Sequence, residues 1–465
     1  MEFQSLGGAR TVTGSQHLLS VNGEKILIEC GLFQGPRGET YQKNLNFDYD
    51  PADIDCLLLS HAHIDHAGNI PNLGKNGYSG SIFATSATVD LCQIMLRDSA
   101  FLNEKDAEWV NKLRAAKKEP PIEPLYTIDD AEEALRHFVG IQYERPFHVT
   151  KGVTATFRDA GHILGSSCIL LEVEENGRKL RVGFSGDVGR KDMPIIRDPK
   201  PLDDLDVLIM ESTYGNRDHE DPSGAEEELA GLINRTVKRL GKVIIPAFAV
   251  GRTQHLVYVL RGLFEQKRIP DIPVYVDSPM ACGAIEVYRS HPECFDREAF
   301  FRFVNDADDL FEPPGFTCVR DAESSKRLNY LTEPHIIIAA SGMAEGGRIL
   351  HHLKNGVGDP KNLVLLVGFA AEHTLARRLM EGDKDVKIFG EEYRVKCEVV
   401  SMPYFSAHAD RNGLLDFMSK TPPEKLKKIF LVHGELSQAE ALKAKIEERG
   451  YANVVIPERL ESHVI

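Results

Sequence analysis

Tryptophan is nearly absent: Trp109 is the only one in 465 residues, and aromatic residues make up 8% of the chain. Little is therefore available for stacking platforms that would read bases. The eight cysteines (30, 56, 92, 168, 282, 294, 318 and 397) include no C-x-x-C pair. That excludes a cysteine-based zinc site and predicts reduced, buried thiols of a cytoplasmic protein in place of a disulfide framework. No run approaches the ~18 apolar residues of a membrane span, and Met1-Glu2-Phe3-Gln4 is not a basic-then-apolar leader. A membrane partner is not expected. Positive charge is also in deficit, with 55 Lys and Arg against 70 Asp and Glu and a net charge of −15. This weighs against a polyanionic partner, although bound metal ions supply positive charge that the count omits. No internal repeat or low-complexity segment is present, and the length suggests two to three domains.

What the chain does have is the stretch Ser60-His61-Ala62-His63-Ile64-Asp65-His66-Ala67-Gly68, an H-x-H-x-D-H array. The apolar run Cys56-Leu57-Leu58-Leu59 before it reads as a buried strand, so the array sits where strand becomes loop. Imidazole and carboxylate form the ligand set of zinc and similar divalent ions. His61 and His63, two apart on extended backbone, point to one side and can grip one ion. Asp65 and His66, adjacent after the chain turns, can reach a second.

The same device recurs along the chain. Val153 to Asp159 is strand-like and leads to Ala160-Gly161-His162; Leu180 to Phe184 leads to Ser185-Gly186-Asp187; Leu205 to Met210 leads to Glu211. Cys168 to Val173 and Leu180 to Phe184 should pair across Glu175-Asn176-Gly177. Residues 98 to 145 look largely helical. After Glu211 the rhythm becomes strand then helix: 242–246 before 252–264, 274–276 before 280–290, 335–340 before 346–354, and 363–367 before 374–380. That alternation predicts a parallel α/β domain of about 180 residues. Past 395 the first device returns, with Val395 to Ser401 leading to Ser406-Ala407-His408 and Ile429 to Val432 leading to His433-Gly434-Glu435. The expected organisation is one sandwich domain, 1–211 and 396–465, interrupted by an inserted α/β domain, 212–395. Singly, His162, Asp187, Glu211, His408 and His433 are weak signals. Their shared position at strand ends, beside an array that lacks ligands, makes them candidates to complete a two-metal site.

These motifs, in this order, resemble the metallo-β-lactamase superfamily. Met210-Glu211-Ser212-Thr213-Tyr214-Gly215, Phe405-Ser406-Ala407-His408 and Leu431-Val432-His433-Gly434-Glu435 make the chain similar to its β-CASP branch of RNA- and DNA-processing nucleases. Pro246-Ala247-Phe248-Ala249-Val250-Gly251-Arg252 and Ser341-Gly342-Met343-Ala344-Glu345-Gly346-Gly347-Arg348 strengthen the likeness to bacterial and archaeal RNA-processing members. It runs from Gly7-Gly8-Ala9 to past His433. The fold so implied is α/β: an αββα sandwich with an inserted β-CASP domain.

Residue by residue, the resemblance implies one zinc on His61, His63 and His162, a second on Asp65, His66 and His433, and Asp187 as the bridge. A hydroxide bridging the two Zn2+ would be the nucleophile on a phosphodiester. Glu211 would hold His408 protonated to bind the scissile phosphate or protonate the leaving oxygen. Glu29 stands where the family usually has Asp before Cys-Gly, and would orient a ligand histidine. Arg252, Ser341, Gly342, Arg348 and Ser406 are candidate phosphate contacts, the 341–347 loop because its small residues open a helix. A plain tight turn explains that loop equally well from local sequence. His255 and His373 depart from the expected polar types. The Lys-rich stretches 112–118 and 425–428 read as solvated helix faces. The function implied is zinc-dependent, endonucleolytic and 5′-exonucleolytic cleavage of single-stranded RNA to 5′-phosphate and 3′-hydroxyl ends, with substrate threading between the two domains and a homodimer as the assembly. The competing readings are a superfamily hydrolase of DNA or of a small ester or thioester, and a non-catalytic RNA-binding scaffold.

Overall fold

Asn22 and Gly23 adopt φ of 54° and 84°, the left-handed pair that a two-residue hairpin turn requires. They join Gln16–Val21 to Glu24–Ile28. Asn176 and Gly177, at 52° and 78°, do the same for Ser167–Glu175 and Arg178–Phe184, as the sequence predicts. In this computed structural model the described residues are 1–35, 37–221, 223–305, 309–368, 370–371 and 373–465. They form two compact units: Met1–Met193 with Arg197–Asp218 and His408–Ile465, and Pro194–Ile196 with His219–Ala407.

In the first unit the earlier hairpin belongs to a seven-stranded sheet ordered Ser462–Val464, Glu2–Gly7, Gln16–Val21, Glu24–Ile28, Cys56–Leu58, Ser81–Thr85, Phe138–Ile141. The later hairpin belongs to a second sheet ordered Val454–Val455, Lys428–Val432, Val207–Glu211, Arg178–Phe184, Ser167–Glu175, Val153–Asp159, Phe147–Thr150. Alternate residues of the first, among them Phe3, Leu19, Ile26 and Leu58, meet Phe157, Ile169, Phe184 and Phe430 of the second in one core. Each such side chain contributes roughly 1.5–3 kcal/mol on burial. Helices cover the outer faces. Ser86–Ala116 packs along the edge strands of the first sheet, while Leu414 and Leu442 of Arg411–Met418 and Leu436–Glu448 pack on Leu208 and Met210 of the second. The result is an αββα sandwich.

The second unit holds six parallel strands, ordered Phe316–Cys318, Val274–Val276, Ile336–Ala339, Val243–Pro246, Leu363–Leu366, Glu398–Ser401. Helices Arg252–Glu265, Pro279–Ser290, Ile349–Gly356 and Leu375–Met380 follow the strands in the predicted rhythm. Three details differ from the sequence reading. Glu398–Ser401 pairs with Leu363–Leu366 and so closes this sheet, whereas the boundary at 395 assigned it to the sandwich; an apolar run predicts a strand, not which edge receives it. Within 98–145 the short run Phe138–Ile141 is a strand on the edge of the first sheet. Cys282 and Cys318 form a disulfide, with Cα atoms 5.8 Å apart, while the other six cysteines are buried outside any disulfide. Their separation in sequence hides a proximity created by the pairing of Val274–Val276 with Phe316–Cys318. No helix among the described residues is long and apolar enough to cross a membrane.

Candidate metal centre

The strand Cys56–Leu58 delivers His61, and His63 (φ −56°, ψ 149°) ends the extended stretch by capping the short helix Ile64–Ala67. The turn places Asp65 and His66 beside the first two histidines. A backbone mesh holds it: Ser15 N donates to Asp65 O (2.8 Å), Cys30 N to His66 O (2.7 Å) and Leu32 N to Ile64 O (3.0 Å). Gly31 has to be glycine, because a Cβ there would lie 1.6 Å from Asp65 O. The 160–162 and 187–189 loops are joined by Gly189 N to Ala160 O (2.7 Å), and a Cβ on Gly189 would lie 1.8 Å from Gly161 O. Ala409 N donates to Val188 O (2.7 Å), which brings His408 to the same place, and His433 N donates to Gly8 O (2.6 Å).

Every metal-ligand candidate of the sequence converges here. His61 Nε2 and His162 Nε2 each lie 3.2 Å from His63 Nδ1 and 3.5 Å from Asp187 Oδ2. A tetrahedral zinc with Zn–N bonds of about 2.0–2.1 Å separates its ligand nitrogens by about 3.3 Å. Beside this group, His66 Nε2 and His433 Nε2 are 3.2 Å apart, and Asp65 Oδ2 lies 3.4 Å from His433 Nε2. Asp187 Oδ1 is 3.4 Å from His66 Nε2 and 3.2 Å from His433 Nδ1. The two oxygens of Asp187 thus face two different clusters of donors. Asp187 Oδ1 is buried and makes no hydrogen bond, a state that is costly for a carboxylate oxygen without a cation. The donors, their spacing and this orphaned oxygen all fit two divalent ions.

The electrostatics agree. Burial, aided by neighbouring imidazoles, keeps His61 and His162 well below the ordinary histidine range; burial also leads for His66, against the pull of Asp65. They are neutral ligands in waiting. Burial pushes Asp187 up to about 7. Burial would lower His433, but the Asp187 and Asp65 carboxylates outweigh it and raise it to about 10.

Glu29 sits fully buried with φ 65°. It accepts from Ser60 N (2.7 Å) and Ser60 Oγ (3.1 Å), and contacts His66 Nδ1 at 2.6 Å. This contact turns His66 Nε2 toward the cluster, so the longer side chain still reaches a histidine. Glu211 accepts from Val188 N (2.6 Å) and Thr213 N (3.3 Å), and its Oε1 lies 3.4 Å from His408 Nδ1. Burial would lower His408, yet Glu211 and Asp187 hold it above the ordinary histidine range. Ser60 and Thr213 escaped the sequence reading. Ser60 Oγ lies 2.9 Å from His61 Nδ1, and Thr213 Oγ1 is 3.3 Å from His433 Nδ1. Their adjacency to His61 and Glu211 was the one available signal.

In the second unit the phosphate candidates fare differently. Arg252 opens the helix Arg252–Glu265 and is half-buried. Arg348 is engaged within its own unit: its guanidinium donates to Asp277 Oδ1 (2.7 Å), Val319 O (3.0 Å) and Arg320 O (2.8 Å). Ser341 N donates to Gly346 O, Ala344 N to Ser341 O, and Glu345 N to Ser341 Oγ, so the loop bonds to itself. A Cβ on Gly342 would meet the Phe248 ring at 3.0 Å. The loop's small residues therefore already have a packing reason. Ser406 is buried, with its N–H on Pro403 O. His255 packs edge-on against Phe405, and His373 is exposed at φ 67°.

Comparison with known proteins agrees with this geometry. Residues 18–178 match a metallo-beta-lactamase superfamily domain, 253–379 a Beta-Casp domain, and 392–457 a Zn-dependent metallo-hydrolase RNA specificity domain. The chain is 35% identical over 450 residues to "Ribonuclease TTHA0252" of Thermus thermophilus, covering 97% of each. It is 31% identical over 441 residues to "Transcription termination factor FttA" of Methanocaldococcus jannaschii, covering 93% of this chain and 67% of that one. A crystal structure of a protein of unknown function from Enterococcus faecalis shares the fold at TM-score 0.55 and 14% identity, over 100% of this chain and 99% of that one. With a ribonuclease relative aligned from end to end and all three family domains in register, the chain belongs to the β-CASP ribonuclease family of the metallo-β-lactamase superfamily.

Proposed function

We propose that the chain is a di-zinc, cytoplasmic ribonuclease that hydrolyses phosphodiester bonds of single-stranded RNA, endonucleolytically and from 5′ ends, leaving 5′-phosphate and 3′-hydroxyl termini. The observation that carries the reading is Asp187, whose two oxygens face two separate donor clusters while Oδ1 has no hydrogen bond. His61, His63 and His162 would hold one ion, Asp65, His66 and His433 the other, and Asp187 both. When bound, two such ions supply water activation and charge neutralisation at a phosphodiester.

The chain's own residues do the rest. Glu29 fixes the ring of His66. Glu211, itself held by the Val188 and Thr213 N–H groups, favours the charged form of His408. His408 then donates a hydrogen bond to a phosphate oxygen, or a proton to the leaving 3′-oxygen. Arg252, Ser406 and the Ser341–Gly342 turn are the remaining phosphate contacts proposed, while Arg348 donates to Asp277 and to the Val319 and Arg320 carbonyls.

The test is to measure zinc per chain alongside cleavage of end-labelled single-stranded RNA, single-stranded DNA and a chromogenic phosphodiester. Two zinc ions and preferential cleavage of RNA are expected. Equal cleavage of DNA, or RNA cleavage that survives Asp187→Ala, would overturn the reading.

A further inference from the structure

One segment of the first unit, 211–217, carries three side chains that reach the metal centre. Glu211 and Thr213 contact His408 and His433. The third is Tyr214, which is buried and has no part in the ligand set. Its ring meets the ring of His408 at right angles, with centroids 5.9 Å apart and an interplanar angle of 89°. That is an edge-to-face geometry that aromatic pairs prefer. Arg217 holds the tyrosine in turn, its Cζ 4.8 Å from the ring centroid, a cation–π contact.

The backbone fixes where the tyrosine stands. Gly215 N donates to Ser212 O (3.1 Å) and Arg217 N to Tyr214 O (3.2 Å), which closes the turn. A Cβ on Gly215 would lie 2.4 Å from Gln438 O, so the turn sits directly on the helix Leu436–Glu448. Ser212 N donates to His433 O (3.2 Å) and Ser212 Oγ to Val432 O (2.9 Å). Arg411 N donates to Arg217 O (3.0 Å), which ties the turn to the segment that carries His408. The carboxylates that face His408 do so at one nitrogen: Nδ1 lies 3.4 Å from Glu211 Oε1 and 3.8 Å from Asp187 Oδ2. Both distances exceed the roughly 2.7–3.2 Å of a well-formed N–H···O bond, so they orient that nitrogen loosely. The plane of the imidazole is set by the rings around it: His162 and His433, with centroids 4.5 and 6.4 Å away, and Tyr214. The two histidines belong to the donor clusters, and of these three rings Tyr214 alone has no metal to hold.

We propose that Tyr214 is a positioning residue for RNA cleavage: its ring holds the His408 imidazole in the plane from which it meets the phosphate or the leaving 3′-oxygen. The inference rests on the role given to His408 above, and it adds no ligand and no proton donor. A reacting group misplaced by about 1 Å forfeits as much as about 10²-fold in rate, while substrate binding through other contacts is untouched. Loss of the ring therefore appears in kcat and not in KM. A tyrosine that only filled space would act independently of His408.

Steady-state cleavage of end-labelled single-stranded RNA by the full zinc-loaded chain, with zinc content measured alongside, tests it. Tyr214→Leu should lower kcat about 10–100-fold, with KM within about twofold of wild type and zinc per chain unchanged. Tyr214→Phe, which keeps the ring, should recover to within about threefold of wild type. Added to His408→Ala, Tyr214→Leu should cost nothing further, because the group it positions is gone. Tyr214→Met repeats the measurements should Tyr214→Leu lose zinc or change its circular dichroism. Tyr214→Phe as slow as Tyr214→Leu overturns the proposal. So does an undiminished further loss on the His408→Ala background, or loss of zinc in both Tyr214→Leu and Tyr214→Met. A fast Tyr214→Leu beside a slow His408→Ala overturns this inference alone. A His408→Ala as fast as wild type overturns the role of His408 and the inference with it.

Discussion

Asp187 and Asp277 are both carboxylates buried just beyond the end of a strand, one in each unit, and both have histidine neighbours. Asp277 is saturated: it accepts from Ser325 Oγ (2.6 Å), His352 Nε2 (2.6 Å) and Arg348 Nη1 (2.7 Å). Burial alone would raise it, but these hydrogen bonds hold it below the ordinary carboxylate range. Asp187 has imidazoles on all sides, an orphaned oxygen, and a carboxyl pushed up to about 7 by burial. A satisfied carboxylate braces its surroundings, whereas a buried one with an oxygen that no hydrogen bond reaches favours a cation beside it. The contrast separates a structural cluster from a metal centre more sharply than position at a strand end can.

The largest expected effects lie on the Asp187 side. Asp187→Asn and His61→Ala should each lower RNA cleavage by more than about 1,000-fold, with zinc falling below two per chain; full zinc content in both would collapse the distinction. His408→Ala should cost about 10²–10⁴-fold in kcat with zinc content unchanged, a separation that distinguishes a proton donor from a ligand. On the other side, Asp277→Asn should leave zinc untouched and lower the stability of the second unit by about 3–5 kcal/mol, because Arg348 loses its counter-charge. Its pH dependence has a definite sign. Since the folded-state pKa of Asp277 is depressed, its contribution is present above the unfolded value of about 4 and is lost as pH falls below it. Chemical denaturation of wild type and Asp277→Asn at pH 7 and pH 3 should therefore converge at the lower pH. The smallest effect sharpens the role of Glu29. Glu29→Gln should weaken zinc binding about 10–100-fold by loosening His66, as competition with a chelator would show, and Glu29→Asp should recover part of that loss.

Much of the centre was legible because its chemistry is crowded into local motifs. Three imidazoles and a carboxylate between 61 and 66 announce metal, and strand-terminal His162, Asp187, Glu211 and His433 share one placement rule. Alternation of strand and helix likewise exposed the inserted sheet. What escaped depends on partners distant in sequence. Nothing near Arg348 shows that Asp277, 71 residues away, claims its guanidinium. Nor does the sequence around Gly342 show that the Phe248 ring packs against it.

The sequence by itself determined the ligand types, the order of the motifs and the alternation that builds the inserted sheet, because side-chain chemistry and hydrophobic period are local properties. Only the tertiary structure decided which carboxylate stays unsatisfied, which arginine is already taken, which cysteines meet, and which ring lies against His408. Each of those is a sum over neighbours brought together by packing, and no window of sequence contains that sum.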